Sequence, residues 1–237
     1  MRKILILLLG GILTMSLLTG CESESDYLGK FGETISIFDV EELSDLYERS
    51  PRYIWSVGSY INYRENGTLH SIGVVIWLKN DTKEAKGEFI MNQYRNGDIV
   101  RQSYPIYYDK EGFHFTEEVS DEEVINKFND FKMMFEVCDI NIDYLKTLKL
   151  KEKSYSSISG IRKMRYEIPV DDKNLEKIKE LYPQYMKEDD NKATFQLYSS
   201  GMQDSGTITF ESNNEYDFKI KSSCQLRSDG AGLEYFK

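Results

Sequence analysis

The chain is poor in the residues that most often carry chemistry. Its 237 residues include two histidines, three cysteines, four prolines and two tryptophans. Two histidines leave little room for a multi-histidine metal site or for histidine-based catalysis. The sequence also has no Walker loop, dinucleotide fingerprint, zincin helix or CxxC pair, so neither a cofactor nor a metal is expected. Positive charge is short as well: 30 Lys and Arg face 40 Asp and Glu, a net of −10. That balance argues against nucleic acid as a partner, because phosphates need a basic footprint. Low proline content, with 40% hydrophobic and 30% charged residues, rules out a disordered or collagen-like chain.

Residues 1–20 have the layout of a secretory signal. Arg2 and Lys3 precede a mostly apolar run from Ile4 to Leu18, and no stop-transfer pattern follows it. With Gly10, Gly11, Thr14 and Ser16 discounted, the run is short for a spanning helix. It ends in Leu18-Thr19-Gly20-Cys21, followed at once by Glu22-Ser23-Glu24-Ser25-Asp26. This segment resembles a bacterial lipobox. The resemblance implies cleavage before Cys21 and a diacylglyceryl group on its thiol, which anchors the protein to the cell membrane. One acyl chain binds a membrane only marginally, whereas two hold it stably. Removing residues 1–20 takes away Arg2 and Lys3, and the net charge moves from −10 to −12. Residues 21–32 read as a flexible polar tether.

Cys138 and Cys224 remain in an oxidising compartment. They are either a disulfide joining the middle helical region to the last strand, or two buried thiols.

Beyond the tether, periodicity predicts a helix over 40–49 capped by Asp39, with Glu42 completing a capping box. Strands are expected over 53–64, 70–79, 85–94, 99–108 and 113–116, broken at Asn66-Gly67, Asn80-Asp81, Asn96-Gly97 and Glu111-Gly112. Pro105 marks an edge, bulge or bend in the fourth. A second helix starts at the Ser120/Glu123 capping box and carries Val124, Phe128, Phe131 and Phe135 on one face. A short helical piece at 141–149 and a strand at 161–169 come next, then a third helix capped by Asp171. Strands at 193–199, 205–211 and 216–226 complete the order. Strand runs separated by isolated helices predict an α+β fold, in which a large curved antiparallel sheet or half-barrel is covered on one face by helices. Residues 33–237 are expected to form one domain.

The successive hairpins from Tyr53 to Tyr108, the text Lys110-Glu111-Gly112-Phe113-His114-Phe115, and Arg165-Tyr166-Glu167-Ile168-Pro169 running into a capped helix resemble the LolA/LppX-like lipoprotein layout. That resemblance implies a hydrophobic cavity and a lipid or other amphiphile as ligand. The lining expected between sheet and helices is Trp55, Val57, Ile61, Val75 and Trp77, with Phe128 and Phe131 above. The bland alternative is that the same residues simply fill a core.

Other motifs read as structure. Asn66-Gly67-Thr68 and Asn80-Asp81-Thr82 are turns, Asp171-Asp172 a helix cap, and Glu188-Asp189-Asp190 a solvated loop. Tyr94, Tyr104, Tyr107 and Tyr108 form either cross-strand pairs or an exposed aromatic patch. The expected function is non-enzymatic: an amphiphile bound in a cavity, or a protein partner bound at the surface of a filled core. A hydrolase would have to recruit His70 or His114.

Overall fold

The computed structural model describes residues 23–49, 54–95, 97–186, 193–200, 205–212, 218–227 and 236. Contacts group the chain into two units, residues 1–31 and residues 32–237. The described part of the first unit holds α1 (Glu24–Gly29) within the segment read as a tether. Ser23 caps α1 by accepting from the Asp26 N–H at 3.1 Å. A capped turn with acidic residues at its start suits the helix dipole, which the polar composition alone did not reveal.

The second unit begins with α2 (Gly32–Phe38). A 3-10 turn (Leu43–Asp45) then runs into α3 (Leu46–Arg49). Five strands follow: β1 (Ile54–Glu65), β2 (Thr68–Lys79), β3 (Glu84–Arg95), β4 (Asp98–Asp109) and β5 (Gly112–Phe115). Three short helices come next: α4 (Glu122–Asp130), α5 (Met134–Val137) and α6 (Ile142–Thr147). The hairpin of β6 (Lys149–Tyr155) and β7 (Ile161–Ile168) leads to α7 (Lys173–Leu181). Strands β8 (Ala193–Ser200), β9 (Ser205–Ser212) and β10 (Phe218–Arg227) end the described fold.

All ten strands form one antiparallel sheet in the order β5-β4-β3-β2-β1-β10-β9-β8-β7-β6. The first and last strand runs therefore meet in the middle, where β1 pairs with β10. The sheet is open, with β5 and β6 at its edges. The α+β class, the single large antiparallel sheet and the helices over one face are as expected.

Register decides which side chains share a face. Val57 lies opposite Ile76 and Cys224, and Ile61 opposite Ile72 and Ile220. Val74 lies opposite Phe89, and Phe210 opposite Phe195. These positions form the inner face, almost wholly buried. The helical segments cover it. Phe131 meets Phe89 edge-on at 6.2 Å, Tyr144 meets Phe195 at 5.9 Å, and Tyr182 lies 5.7 Å from Phe218. Polar pins hold this layer in place. The buried Asn174 amide accepts from the Asp139 N–H at 2.9 Å and donates to the Asp139 carbonyl at 3.2 Å. The Tyr144 hydroxyl donates to Asp172 at 3.0 Å.

Several local expectations are corrected. The helix cap after β5 is Asp121, not Ser120; its carboxylate accepts from the Glu123 and Val124 N–H groups. The cap of α7 is Asp172 rather than Asp171. At the 3-10 turn Glu42 is the cap, and it shares a capping box with Asp45. The aromatic stripe from Val124 to Phe135 is not one helix. Phe131 turns extended, and α5 starts anew after Met133. Three elements went unread: α1, α2 and β6. Strand β6 is Lys-Leu-Lys-Glu-Lys-Ser-Tyr, an edge strand whose charges hide its alternation and also guard an exposed edge. Pro105 lies in a continuous β4 opposite Glu88, just past the end of the β5 ladder. There its carbonyl still accepts from the Thr116 N–H at 2.9 Å, and its missing N–H ends the β4–β5 ladder.

Glycine supports the close strand packing at two points. A Cβ on Gly87 would sit 2.0 Å from the Val75 carbonyl oxygen, and one on Gly73 would sit 2.5 Å from the Ser59 carbonyl oxygen and the Tyr60 ring. At Gly87 backbone itself must move to admit a side chain. Gly87→Ala is therefore expected to destabilise the protein by about 1–3 kcal/mol, the usual range for overpacking. Gly58→Ala, whose Cβ would meet its nearest neighbours at 3.3 Å, should cost less. Urea denaturation of the two variants measures the difference, and equal losses would contradict this account.

Candidate binding cleft

The residues expected to line one cavity are divided by the sheet. Val57 and Ile61 are on the inner face at 3% and 0% exposure, packed in a filled core. Val75 and Trp77 alternate with the inward residues Val74, Ile76 and Leu78, so they belong to the opposite face. Strict two-residue alternation forbids Val75 and Trp77 from sharing a cavity with Val57 and Ile61 in the way expected. Trp55 pairs with Leu78 through its backbone, and its side chain lies outside the described part. Phe131 is buried, while Phe128 is half-buried and packs on Phe115 with ring centroids 4.1 Å apart. Both phenylalanines belong to the aromatic contacts around Phe89.

Cys21 lies outside the described residues. Cys138 and Cys224 are unbridged buried thiols. Cys138 closes α5, its N–H donating to the Met134 carbonyl at 2.8 Å, whereas Cys224 sits in β10 opposite Val57. Burial pushes the Cys138 thiol well above its ordinary value, so it stays protonated and inert. The four tyrosines also split. Tyr104 and Tyr108 share the inner face with Phe89 and Ala85, while Tyr94 and Tyr107 face outward. Tyr107 stacks on His114 at 4.9 Å, and Asp109 holds that imidazole at 3.0 Å.

Open space over the inner face survives at the far end of the β1–β4 hairpins. A cleft of about 240 Å³ lies between β1–β4 and the first turns of α4. Tyr63, Ile72, Met91, Val100 and Val124 supply its apolar surface. His70, Gln93, Gln102, Asp121, Glu123 and Lys127 supply polar groups. The Asn66-Gly67 turn, with φ of 49° and 79°, has the two positive values of a tight hairpin and places Tyr63 opposite His70. The two rings stack at 5.1 Å, and Tyr63 stacks on Tyr185 at 4.0 Å on its way to the core. Lys127 is tied to Glu123 at 2.7 Å, one helical turn apart. Burial holds the His70 imidazole below its ordinary value, and the neighbouring Lys127 charge adds to that. The ring therefore meets the cleft neutral at physiological pH.

A larger open cleft, about 560 Å³, lies beside the loop after α2. Phe38, Val40, Phe135 and Ile140 meet Glu41, Asp45, Glu136 and Asp139 there, with Lys177 on the same wall. Its carboxylates already serve the fold. Asp45 accepts from the Glu41 and Glu42 N–H groups, Glu136 from the Met133 N–H, and Asp139 pairs with Lys173 at 2.5 Å. His70, Val124 and Phe128 were legible in the sequence as single features. The meeting of His70, Met91, Val100 and Lys127 was not, because they come from β2, β3, β4 and α4.

An open, helix-backed antiparallel sheet behind a Leu-Thr-Gly-Cys signal defines the class: a bacterial lipoprotein with an α+β body. More narrowly, the chain belongs to the Csa1 family (DUF576), whose model matches residues 28–228. An uncharacterized lipoprotein of Staphylococcus aureus (strain MSSA476) is 24% identical over 179 residues, covering 69% of this chain and 70% of its own. An uncharacterized lipoprotein of Staphylococcus epidermidis (strain ATCC 35984) is 22% identical over 203 residues, covering 76% and 77%. Among solved structures, the Mycobacterium tuberculosis lipoprotein LppX aligns at 9% identity and a TM-score of 0.34, covering 86% of this chain and 95% of its own.

The histidine generates a pH prediction. A folded-state value below the ordinary histidine value of about 6.5 means that the unfolded chain binds more protons there. The contribution is full above that ordinary value and is lost as pH falls toward the folded one. Thermal unfolding of wild type and His70→Phe between about pH 7.5 and pH 5, a window that spans the ordinary histidine value, should show a smaller acid-side loss in the variant. Parallel curves would contradict it.

Proposed function

We propose that the protein is a lipid-anchored cell-surface binding protein, held to the membrane by a diacylglyceryl group on Cys21. It takes the end of an apolar chain, carried by a small amphiphile, into the cleft between β1–β4 and α4. The observation that carries this reading is that the remaining space on the inner face is bounded both by core side chains and by a polar rim. Tyr63, Ile72 and Met91 offer apolar contact, while Gln93, Gln102, Asp121, Glu123 and Lys127 offer groups for a polar head. At 240 Å³ the cleft is smaller than the ~300–1,000 Å³ of pockets for drug-sized ligands. A chain end suits it, and a whole two-chain lipid does not. Burial contributes about 0.8 kcal/mol per CH₂, so four methylenes would add about 3 kcal/mol. The non-enzymatic reading is supported by the cleft's described lining, in which His70 stacks on Tyr63 and no serine or cysteine nucleophile stands beside it. The filled core around Val57, Ile61 and Phe131 favours a second reading, in which a protein partner docks on the surface.

Two experiments separate these statements. Cys21→Ala should abolish labelling by a fatty-acid precursor and release the protein from the membrane fraction; continued labelling would refute the anchor. Native mass spectrometry of residues 22–237, with solvent extraction, should find an amphiphile at near-stoichiometric occupancy. Met91→Lys and Val100→Glu should lose it while remaining folded, and Trp77→Asp, on the other face, should keep it. A clean apo mass that also ignores added lipids would sink the cleft reading in favour of the protein partner.

A further inference from the structure

The β6–β7 hairpin differs in character from the rest of the chain. From Lys149 to Glu167 it carries six cations against two carboxylates, a net of +4, in a chain whose net is −10. Glu152 and Glu167 are held within the hairpin, by Lys163 at 3.3 Å and Lys151 at 2.8 Å. Its turn is unusual in another way. Tyr155, Ile158 and Ile161 are 54%, 94% and 41% exposed, three large apolar side chains on one short turn.

The turn is well formed. The Ser156 N–H donates to the Ile161 carbonyl at 2.9 Å, and the Gly160 N–H to the Ser156 carbonyl at 2.8 Å. Gly160 takes a φ of 66°, and the Ser159 N–H donates to the Ser156 hydroxyl at 3.3 Å. The Arg162 guanidinium lies 5.1 Å from the Tyr155 ring centroid. Edge protection explains lysines along β6. It does not explain an ordered turn that keeps Ile158 in water, with Tyr155 and Ile161 exposed on the two strands beside it.

The order of chemistry along the hairpin is that of a membrane interface. Apolar side chains are at the tip, an aromatic ring and a guanidinium are at its base, and further cations follow along the strands. Anionic headgroups attract such cations, and apolar side chains of this size enter the headgroup boundary. The acidic remainder of the chain is screened over about 8 Å at physiological salt, so the hairpin acts on a surface by itself. We propose that the β6–β7 turn is a membrane-contact element, which places Tyr155, Ile158 and Ile161 in the interface of an anionic bilayer while Lys153 and Arg162 meet the headgroups. This inference is independent of the cleft and of its ligand.

The test uses the full processed protein with an environment-sensitive fluorophore on Ser157→Cys; the two native body thiols are buried and stay unlabelled. The protein is placed in phosphatidylcholine vesicles with and without phosphatidylglycerol. In a second arm, anionic vesicles are added to protein held in neutral nanodiscs. Expected in at least one arm is a several-fold rise in emission with a blue shift, quenched by nitroxide-bearing lipids and lost at high salt. Ile158→Asp should remove the response, and Lys153→Ser with Arg162→Ser should weaken it. Ile99→Asp, at the tip of the β3–β4 hairpin, should leave it unchanged. Circular dichroism verifies that each variant is folded. A probe that stays in water in both arms, or a response identical in Ile158→Asp, overturns the proposal.

Discussion

Everything in this structure depends on covering one face of a wide open sheet. Ten strands in a single layer present a continuous apolar surface, and no second sheet lies against it in the described residues. Short helices between the strands do the covering, each supplying one or two aromatic or aliphatic side chains. Such pieces are too short to be stable alone, so their helicity follows from the packing and not the reverse. This is why α4 breaks at Phe131: the chain must turn to keep the next side chains over the sheet, and Met133 and Met134 end fully covered.

The same constraint sets where polar groups are tolerated. Asn174 is completely buried yet satisfied by the Asp139 backbone, so it ties α7 to the loop before α6. On the outer face, Glu211 is buried beneath a network formed by Arg165, Gln196 and Lys219, drawn from three neighbouring strands. Buried charge is costly unless paired, and here paired charge joins β7, β8, β9 and β10.

These two solutions divide the surface into chemically different regions. Among the described residues, the inner face is filled at its centre and opens toward the end of the first hairpins, where the Tyr63–His70 stack borders a cleft under α4. The outer edge ends in a basic hairpin with an apolar turn. Both features come from where the sheet outgrows its cover.

The signal, the strand alternation and the Asn-Gly turns could be read directly from the residues, because each is local. Period two in β1 to β4 requires only that alternate side chains differ, and the lipobox requires only neighbouring residues. Nine of the strands and the larger helices were legible for that reason, whereas the charged β6 and the short α2 lacked a clean period. Which alternating face points inward is another matter. Val75 and Trp77 are as apolar as Val74 and Ile76, and only pairing with Val57 and Ile61 across β1 assigns them to opposite sides. The separation of Cys138 from Cys224, the cleft built from four elements and the closure of β1 on β10 likewise arise from long-range register. Local chemistry determined the elements and the address; packing of one sheet face against its helices decided which residues meet.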